Sequence, residues 1–451
     1  MTAEERIRIF ENVPIREAVR RQVVPAVVSQ MISLIYNLSD TYFVGLLNAP
    51  AETAAVTVAY APFLMMTAIA NLFGIGGAGA VSRALGARNE RAAREISSVS
   101  FWLGSLSAAV YSAGFFLFSS ALLHLVGATG DTLASAEGYT RWVIVIGGVP
   151  TAASVLLANL VRAEGKAGVA SIGLSLGGVL NIFLDPFLIL PRFAGFGAAG
   201  AGLATAASNF ISTAFFLWFL LGRPGRSVIQ LSPRKLKDAA AHLRTILSIG
   251  APSAIQYALT VVAVAAQAKF VSSYPTQAVA ALGINKKLDQ LPLYFSIGVS
   301  SGLLPLLAYL HAANHQSRRR EAFRFGVLIS LSFSVFCFIL YEFLAPQLAS
   351  FLIRDQGTIE YAAAFLRRMV TAMPLMSICY PMIIQFQAMK RTKEALICSV
   401  LRKGALDIPL LFLMDSVLPL YGLMWVQPIV DALSLVVCIV LYQKLKQRNL
   451  A

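Results

Sequence analysis

Two carboxylates stand inside long apolar stretches of this chain. Asp40 lies in TyrAsnLeuSerAspThrTyr at 36–42, and Asp185 in AsnIlePheLeuAspPro at 181–186. An ionisable group at the centre of a bilayer costs at least about 2.5–3.5 kcal/mol, which makes each a functional candidate by default. On a helix the i, i+4 spacing puts Asn181 and Asp185 on one face, and Thr205 and Asn209 repeat that spacing further on. Two buried carboxyls suit proton carriage, because desolvation and mutual repulsion disfavour having both ionised. Sodium is the alternative: hard cations prefer oxygen, and Asp40, Asn181, Asp185 and Thr205 all offer it. A cationic substrate would compete for the same negative field. The bland reading is a structural carboxylate hydrogen-bonded at a helix end.

The second half of the chain lacks equivalent acids. At the repeat offset Gln267 stands opposite Asp40, and Gly404 or Leu406 opposite Asn181. This half instead holds Gln256, Lys269, Lys286, Lys287, Asp289, Asp407 and Asp431, either lining a cavity or paired structurally, with Asp289 placed to offset one of the lysines. Polar side chains in apolar runs that would line a substrate cavity are Tyr36, Asn37, Tyr139, Asn159, Asn209, Gln256, Gln267 and Lys287.

Other patterns lead nowhere. Gly74, Gly76 and Gly79, and again Gly195, Gly197 and Gly200, match GxGxxG, but neither follows a strand, and small residues in apolar helices serve close packing. His311 and His315 have metal-pair spacing but sit beside Arg318, Arg319 and Arg320, which reads as a solvated helix end. Cys337, Cys379, Cys398 and Cys438 lie in apolar runs without CxxC spacing and read as packing residues. There is no phosphate-binding loop or HExxH.

The elements that position these residues are membrane helices. Of 451 residues, 57% are hydrophobic and 13% charged, against about 25% charged in soluble domains. One span needs about 20 apolar residues. The runs predict helices at 22–46, 54–81, 96–126, 138–160, 168–190 and 197–221, then 246–271, 279–310, 323–350, 360–389, 395–414 and 419–442. The fold expected is all-α and membrane-spanning, with about twelve helices. Residues 1–21 form a charged amphipathic cytoplasmic segment without a cleavable signal peptide, 22–221 a first lobe, 222–245 a cytoplasmic connection, 246–442 a second lobe, and 443–451 a tail. The net charge of +15 reflects cytoplasmic loops and not nucleic acid. With both termini on the cytoplasmic side of a cell membrane, Arg83, Arg88, Arg91, Arg94, Arg162, Lys166 and the basic residues within 223–244, 318–324, 390–393 and 444–448 all fall on that side.

The halves repeat. AlaAlaValThrVal at 54–58 matches AlaAlaLeuGlyIle at 280–284, Pro25 falls opposite Pro252, Gly77 opposite Gly302, Pro150 opposite Pro374, and Phe196-Gly197 opposite Tyr421-Gly422. An even helix number in each copy gives both one topology, related by an axis along the membrane normal, with a site between them. Pro25 lies about four turns before Asp40 and is a candidate hinge.

At these residues the sequence resembles the multidrug and toxic compound extrusion family. The resemblance rests on Pro25 with AspThrTyrPheValGly at 40–45, SerArgAlaLeuGlyAla at 82–87, ArgAlaGluGlyLys at 162–166, AsnIlePheLeuAsp at 181–185 and GlyPheGlyAlaAlaGlyAlaGlyLeuAlaThr at 195–205. It implies two six-helix bundles around a V-shaped cavity and export driven by H+ or Na+, without a cofactor. It also implies an N-lobe ion site at Asp40, Asn181, Asp185 and Thr205, with a bend at Pro25 linked to the ion. Branches that couple through acids in helices 7 and 10 would need them where Thr260 and Cys379 stand, so the likeness is to the N-lobe-coupled branch. The expected function is a monomeric, non-enzymatic antiporter for amphipathic, often cationic organic compounds. One rival is a flippase for lipid-linked sugars or peptidoglycan precursors, which needs cavity cations such as Lys286, Lys287, Arg367, Arg368 or Arg402. Another is a membrane enzyme acting on lipids, for which no nucleophile or metal constellation is visible.

Overall fold

The computed structural model describes Glu5 and residues 8–222 and 227–447. Positions 223–226 of the expected connection, 448–451 of the tail, and 1–4, 6 and 7 lie outside the described residues. The described residues form helices and no strand. The N-lobe holds α1 (Ile15–Gly45), α2 (Pro50–Gly86), α3 (Glu90–Leu125), α4 with two limbs (Asp131–Ile146 and Gly148–Ala163), α5 (Ala167–Ile189) and α6 (Gly197–Leu221). The C-lobe holds α7 (Ala239–Val271), α8 (Thr276–Ala312), α9 (Gln316–Leu352), α10 with two limbs (Gln356–Met369 and Ala372–Ala388), α11 (Thr392–Val400 and Asp407–Val417) and α12 (Gly422–Gln447). Eight are long and apolar enough to cross a membrane, and the bent pairs α4 and α10 bring that to ten. The polar-interrupted α1 and the broken α11 complete twelve.

Three boundaries correct the sequence reading. The first helix begins at Ile15, not near 22: Pro14 starts the turn, its carbonyl accepting from the Glu17 and Ala18 amides, and Ile15, Ala18, Val19 and Gln22 turn inward. Arg20 and Arg21 stay exposed, so residues 15–21 of the expected amphipathic segment are the first turns of α1. The connection 222–245 is shorter than expected, since α7 starts at Ala239, and α12 runs through most of the expected tail. The helix expected at 395–414 is interrupted by a π-turn over Leu401–Ala405, where Lys403 leaves helical geometry (φ −136°, ψ 36°).

The two bends are a repeat feature with a common cause. α4 bends by 50° and α10 by 45°. Pro150 and Pro374 lie just inside the second limbs, where each lacks an amide hydrogen and clashes with the carbonyl four residues earlier. Arg88 (φ 60°) and Asn314 (φ 61°) likewise form matching left-handed turns after α2 and α8.

The lobes meet chiefly through α2 on α7 and α1 on α8. Glycines allow it: a Cβ on Gly298 or Gly302 would lie 2.7 Å from the Val27 or Val23 Cα of α1. Gly76 packs likewise on the Ile246 carbonyl, and Gly250 on that of Leu72. These contacts gather toward the end of the bundle where α1 starts and the loop arginines cluster, called here the basic face. At that face the Arg83 guanidinium donates to the Ala388 carbonyl at 2.8 Å, from N-lobe to C-lobe.

A short strap closes the basic face. Residues Arg8–Asn12 form a π-turn. Phe10 is fully buried, its ring 4.8 Å from that of Tyr309. Glu11 accepts from Arg88 at 2.8 Å and from the Tyr309 hydroxyl at 2.7 Å, and His315 lies 3.4 Å away. Arg318 donates to the carbonyls of Phe10, at 2.9 Å, and Val13. Arg88 belongs to the N-lobe and the other partners to the C-lobe, so the strap joins both.

Candidate functional site

The carboxylates read from the sequence meet inside the N-lobe. Asp40 on α1, Asn181 and Asp185 on α5, and Thr205 on α6 are buried at 5%, 1%, 0% and 4% exposure. Small residues make the approach possible. A Cβ on Gly178 would lie 2.7 Å from Ile32 and 3.2 Å from Tyr36 of α1, and one on Gly177 3.1 Å from the Ser208 carbonyl of α6. The GlyGly pair, one turn before Asn181, therefore lets three helices close on the acids.

The bonding is loose and continuous. The Asn181 amide donates to Asp185 Oδ1 at 3.4 Å and to Thr205 Oγ1 at 3.3 Å, and the Thr205 hydroxyl donates to Asp40 Oδ2 at 3.4 Å. Asp40 and Asp185 lie within electrostatic reach of each other. Asp40 Oδ1, Asn181 Oδ1 and Asp185 Oδ2 are buried acceptors without a partner among the described residues. Such a set can share one proton between carboxyls or offer oxygens to one small cation.

The other expected residues disperse. Tyr36 and Tyr139 stand within electrostatic reach of Asp40, and Asn37 donates across the lobe interface to the Tyr294 hydroxyl at 3.5 Å. Asn209 turns from the acids and donates to Thr151 at 3.0 Å. Asn159 donates to the Val155 carbonyl at 2.9 Å within the N-lobe, and Gln267 to the Leu423 carbonyl at 3.2 Å within the C-lobe. Gln256 is buried with its amide nitrogen unpartnered, and Lys287 is exposed. Pro25 lies in a helix that stays continuous, and the Ser171 hydroxyl donates to its carbonyl at 2.5 Å.

Of the interlobe tyrosines the sequence reading named Tyr36 and missed the other four. Tyr36, Tyr60, Tyr257, Tyr294 and Tyr380, from α1, α2, α7, α8 and α10, come within electrostatic reach of one another. No spacing could reveal them, since each comes from a different helix. Arg402 lies 4.1 Å above the Tyr380 ring and forms a buried ion pair with Asp431, Nε to Oδ1 at 2.8 Å with both side chains 1% exposed. Lys286, Asp289, Lys403 and Asp407 lie within electrostatic reach of this pair or of one another. Asp289 makes no contact ion pair with a lysine among the described residues, and Lys403 donates to Gln427 at 2.7 Å. The charge of Arg402 is matched by Asp431, and the Arg368 guanidinium lies 4.5 Å from the Tyr421 ring centre.

The glycines of the first motif serve close packing, whereas His311, expected at a solvated helix end, is half-buried. Gly74 packs on Asn159 and Gly79 on Ile249. No group of three metal-ligating side chains occurs among the described residues, and all four cysteines are buried and free.

Known proteins match this architecture along its whole length. A Multidrug export protein MepA of Staphylococcus aureus (strain MSSA476) is 27% identical over 448 residues, covering 99% of this chain and 97% of the relative. A solved structure described as the outward-facing conformation of a multidrug resistance MATE family transporter of the MOP superfamily superposes with a TM-score of 0.91 at 21% identity, over 98% of each chain. A crystal structure of MATE in the straight conformation superposes at 0.90, also at 21% identity and over 98% of each chain. The MatE family model matches twice, over residues 25–187 and 252–413, so the repeat read from Pro25 and Pro252 is the family's own. With more than half its residues inside those two matches, the chain belongs to the MatE family, that of the multidrug and toxic compound extrusion transporters.

Proposed function

We propose that the protein is a secondary antiporter that exports amphipathic, often cationic organic compounds from the cell in exchange for a proton or a sodium ion. The observation that carries this reading is the buried pair Asp40 and Asp185, linked through Asn181 and Thr205. Two carboxylates in apolar surroundings repel each other unless a cation sits between them. The loaded and empty site therefore differ in charge, and an ion that binds two conformers unequally shifts their balance. A shared proton suits the mutual reach of the carboxyls. The three unpartnered oxygens of Asp40, Asn181 and Asp185 favour sodium as the second reading. The interlobe tyrosines offer aromatic faces to an organic cation, and the name of the MepA relative supports a broad substrate range. The basic face is assigned to the cytoplasm, with both termini, of a cell membrane. The working unit is a monomer, with residues 22–221 and 246–442 as its lobes.

The test is reconstitution in liposomes with a fluorescent organic cation inside, under proton and sodium gradients imposed separately. One gradient drives efflux in the wild type, and Asp40→Asn and Asp185→Asn each abolish it while remaining folded and inserted. Gradient-driven efflux at the wild-type rate by both variants overturns the reading.

A further inference from the structure

Glu52 belongs to none of the groups described above. It lies in the first turn of α2, at the end of the bundle away from the basic face. One carboxylate oxygen, Oε2, accepts the Ala198 amide at 2.5 Å. The other, Oε1, accepts the Ser135 hydroxyl at 2.9 Å. Ala198 is the second residue of α6, and Ser135 lies in the first limb of α4. One side chain thus ties three helices together.

The start of α6 is built to receive it. The residue before the helix, Phe196, gives no side-chain cap, so the first amides of α6 look outside the helix for acceptors. A carboxylate there also meets the positive end of the helix dipole. Gly197 takes φ +58°, and a Cβ at that position would lie 2.7 Å from Glu52 Oε2. Glycine is required twice over, for the backbone turn and for the close approach of the carboxylate.

What Glu52 holds leads directly to the ion site. Thr205 follows Ala198 by seven residues, close to two turns at 3.6 residues per turn, and so projects from the same side of α6. Tyr139 follows Ser135 by one turn and reaches the field of Asp40 and Asp185. The bonds of Thr205 to Asp40 and Asn181 are already 3.4 and 3.3 Å long. A small slide of α6 would break them.

We propose that Glu52 is a positioning residue for the coupling ion: by capping α6 and anchoring α4 it fixes the height of Thr205 and Tyr139 against the Asp40–Asp185 pair. The proposal rests on the reading of that pair as the ion site. Its signature separates it from general structural support, because the loss falls on ion affinity and not on the rate at saturating ion.

The experiment measures efflux in liposomes against ion concentration, or against pH if the proton couples, in Glu52→Ala, Glu52→Gln and Gly197→Ala. Glu52→Ala is expected to raise the half-saturating ion concentration about three- to tenfold, or to displace the pH midpoint equivalently, with the maximal rate within about twofold of wild type. Glu52→Gln keeps an acceptor for the Ala198 amide and recovers part of the shift. Gly197→Ala displaces the carboxylate without touching it and reproduces the shift, which keeps the test open should Glu52→Ala fold poorly. Unchanged ion affinity in Gly197→Ala and in either folded Glu52 variant overturns the proposal. Asp40→Asn runs beside them: if it is inactive while the Glu52 series matches wild type, this inference alone falls. If Asp40→Asn transports normally, the ion site falls and this inference with it.

Discussion

Asp431 and Asp185 are both fully buried carboxylates, but their surroundings ask different things of them. Asp431 has the Arg402 guanidinium at 2.8 Å. Asp185 has the Asn181 amide at 3.4 Å and a second acid within electrostatic reach. Removing one partner of a buried ion pair leaves the other charge stranded, at a cost of about 3–5 kcal/mol. Asp431→Asn is therefore expected to lower the unfolding temperature and the yield of inserted protein, while molecules that survive keep gradient coupling. Asp185→Asn is expected to do the reverse, keeping the unfolding temperature and losing coupling. Thermal unfolding in detergent, set beside efflux in liposomes, separates the two, and loss of coupling in folded Asp431→Asn would move the ion site toward the C-lobe. Thr205→Val keeps the shape of the side chain but removes the hydroxyl that joins Asn181 to Asp40. A hydrogen bond to a charged group contributes about 1.5–3 kcal/mol, so ion affinity should fall at least about tenfold. A titration of efflux against the ion reads it. The four residues of this site were legible in the sequence because polar groups in apolar runs carry a visible cost. The interlobe tyrosines other than Tyr36 were not, because an amphipathic ring is unremarkable in any single helix and its meaning lies in convergence.

At the scale of the helix, apolar length made the spans legible, and local chemistry decided where the reading erred. Charges at Arg16, Glu17, Arg20 and Arg21 disguised the start of α1, whose inward face is nonetheless apolar. In α11 the run ArgLysGly at 402–404 hides a π-turn that packing imposes: Arg402 turns in to Asp431 while Lys403 reaches Gln427. Pro25 offers the sharpest test at this scale. α1 is continuous through it, although the ring removes the bond to the Arg21 carbonyl, and the Ser171 hydroxyl of α5 donates to the Pro25 carbonyl. A helix so weakened bends readily, and Asp40 lies on the same helix. Pro25→Ala is expected to lower turnover several-fold more than it lowers substrate affinity, because binding needs one conformer and transport needs two. Pro252→Ala, at the matching place in α7, is the control. Unchanged turnover in Pro25→Ala, with the protein stably inserted, would leave the proline as a static kink.

For the whole molecule, exchange between two access states requires the contacts at the basic face to part. Backbone-to-backbone packing at Gly298 and Gly302 separates without residue, since it involves no charge. The strap is different, because Glu11 holds Arg88 of one lobe and Tyr309 of the other. Glu11→Ala should shift the balance toward the form open at that face. Spin labels on cysteines replacing the exposed Arg94 and Lys393, one on each lobe, would report a longer distance component, the native cysteines being buried. An unchanged distribution would reduce the strap to packing.

The strap also has a history within the chain. Glu11 and Phe10 are synthesised early, yet their partners Tyr309 and Arg318 follow 298 and 308 positions later. Closing so long a loop costs little more than closing one half its length, since the entropy grows only logarithmically. The obstacle is time. While the N-lobe inserts, the buried ring of Phe10 has no Tyr309 to pack against and Glu11 has at most Arg88. The segment can dock only after α8 and α9 have entered the membrane, so its burial marks the completion of the molecule. A chain stalled after the first six helices would carry an undocked aromatic anchor at its basic face.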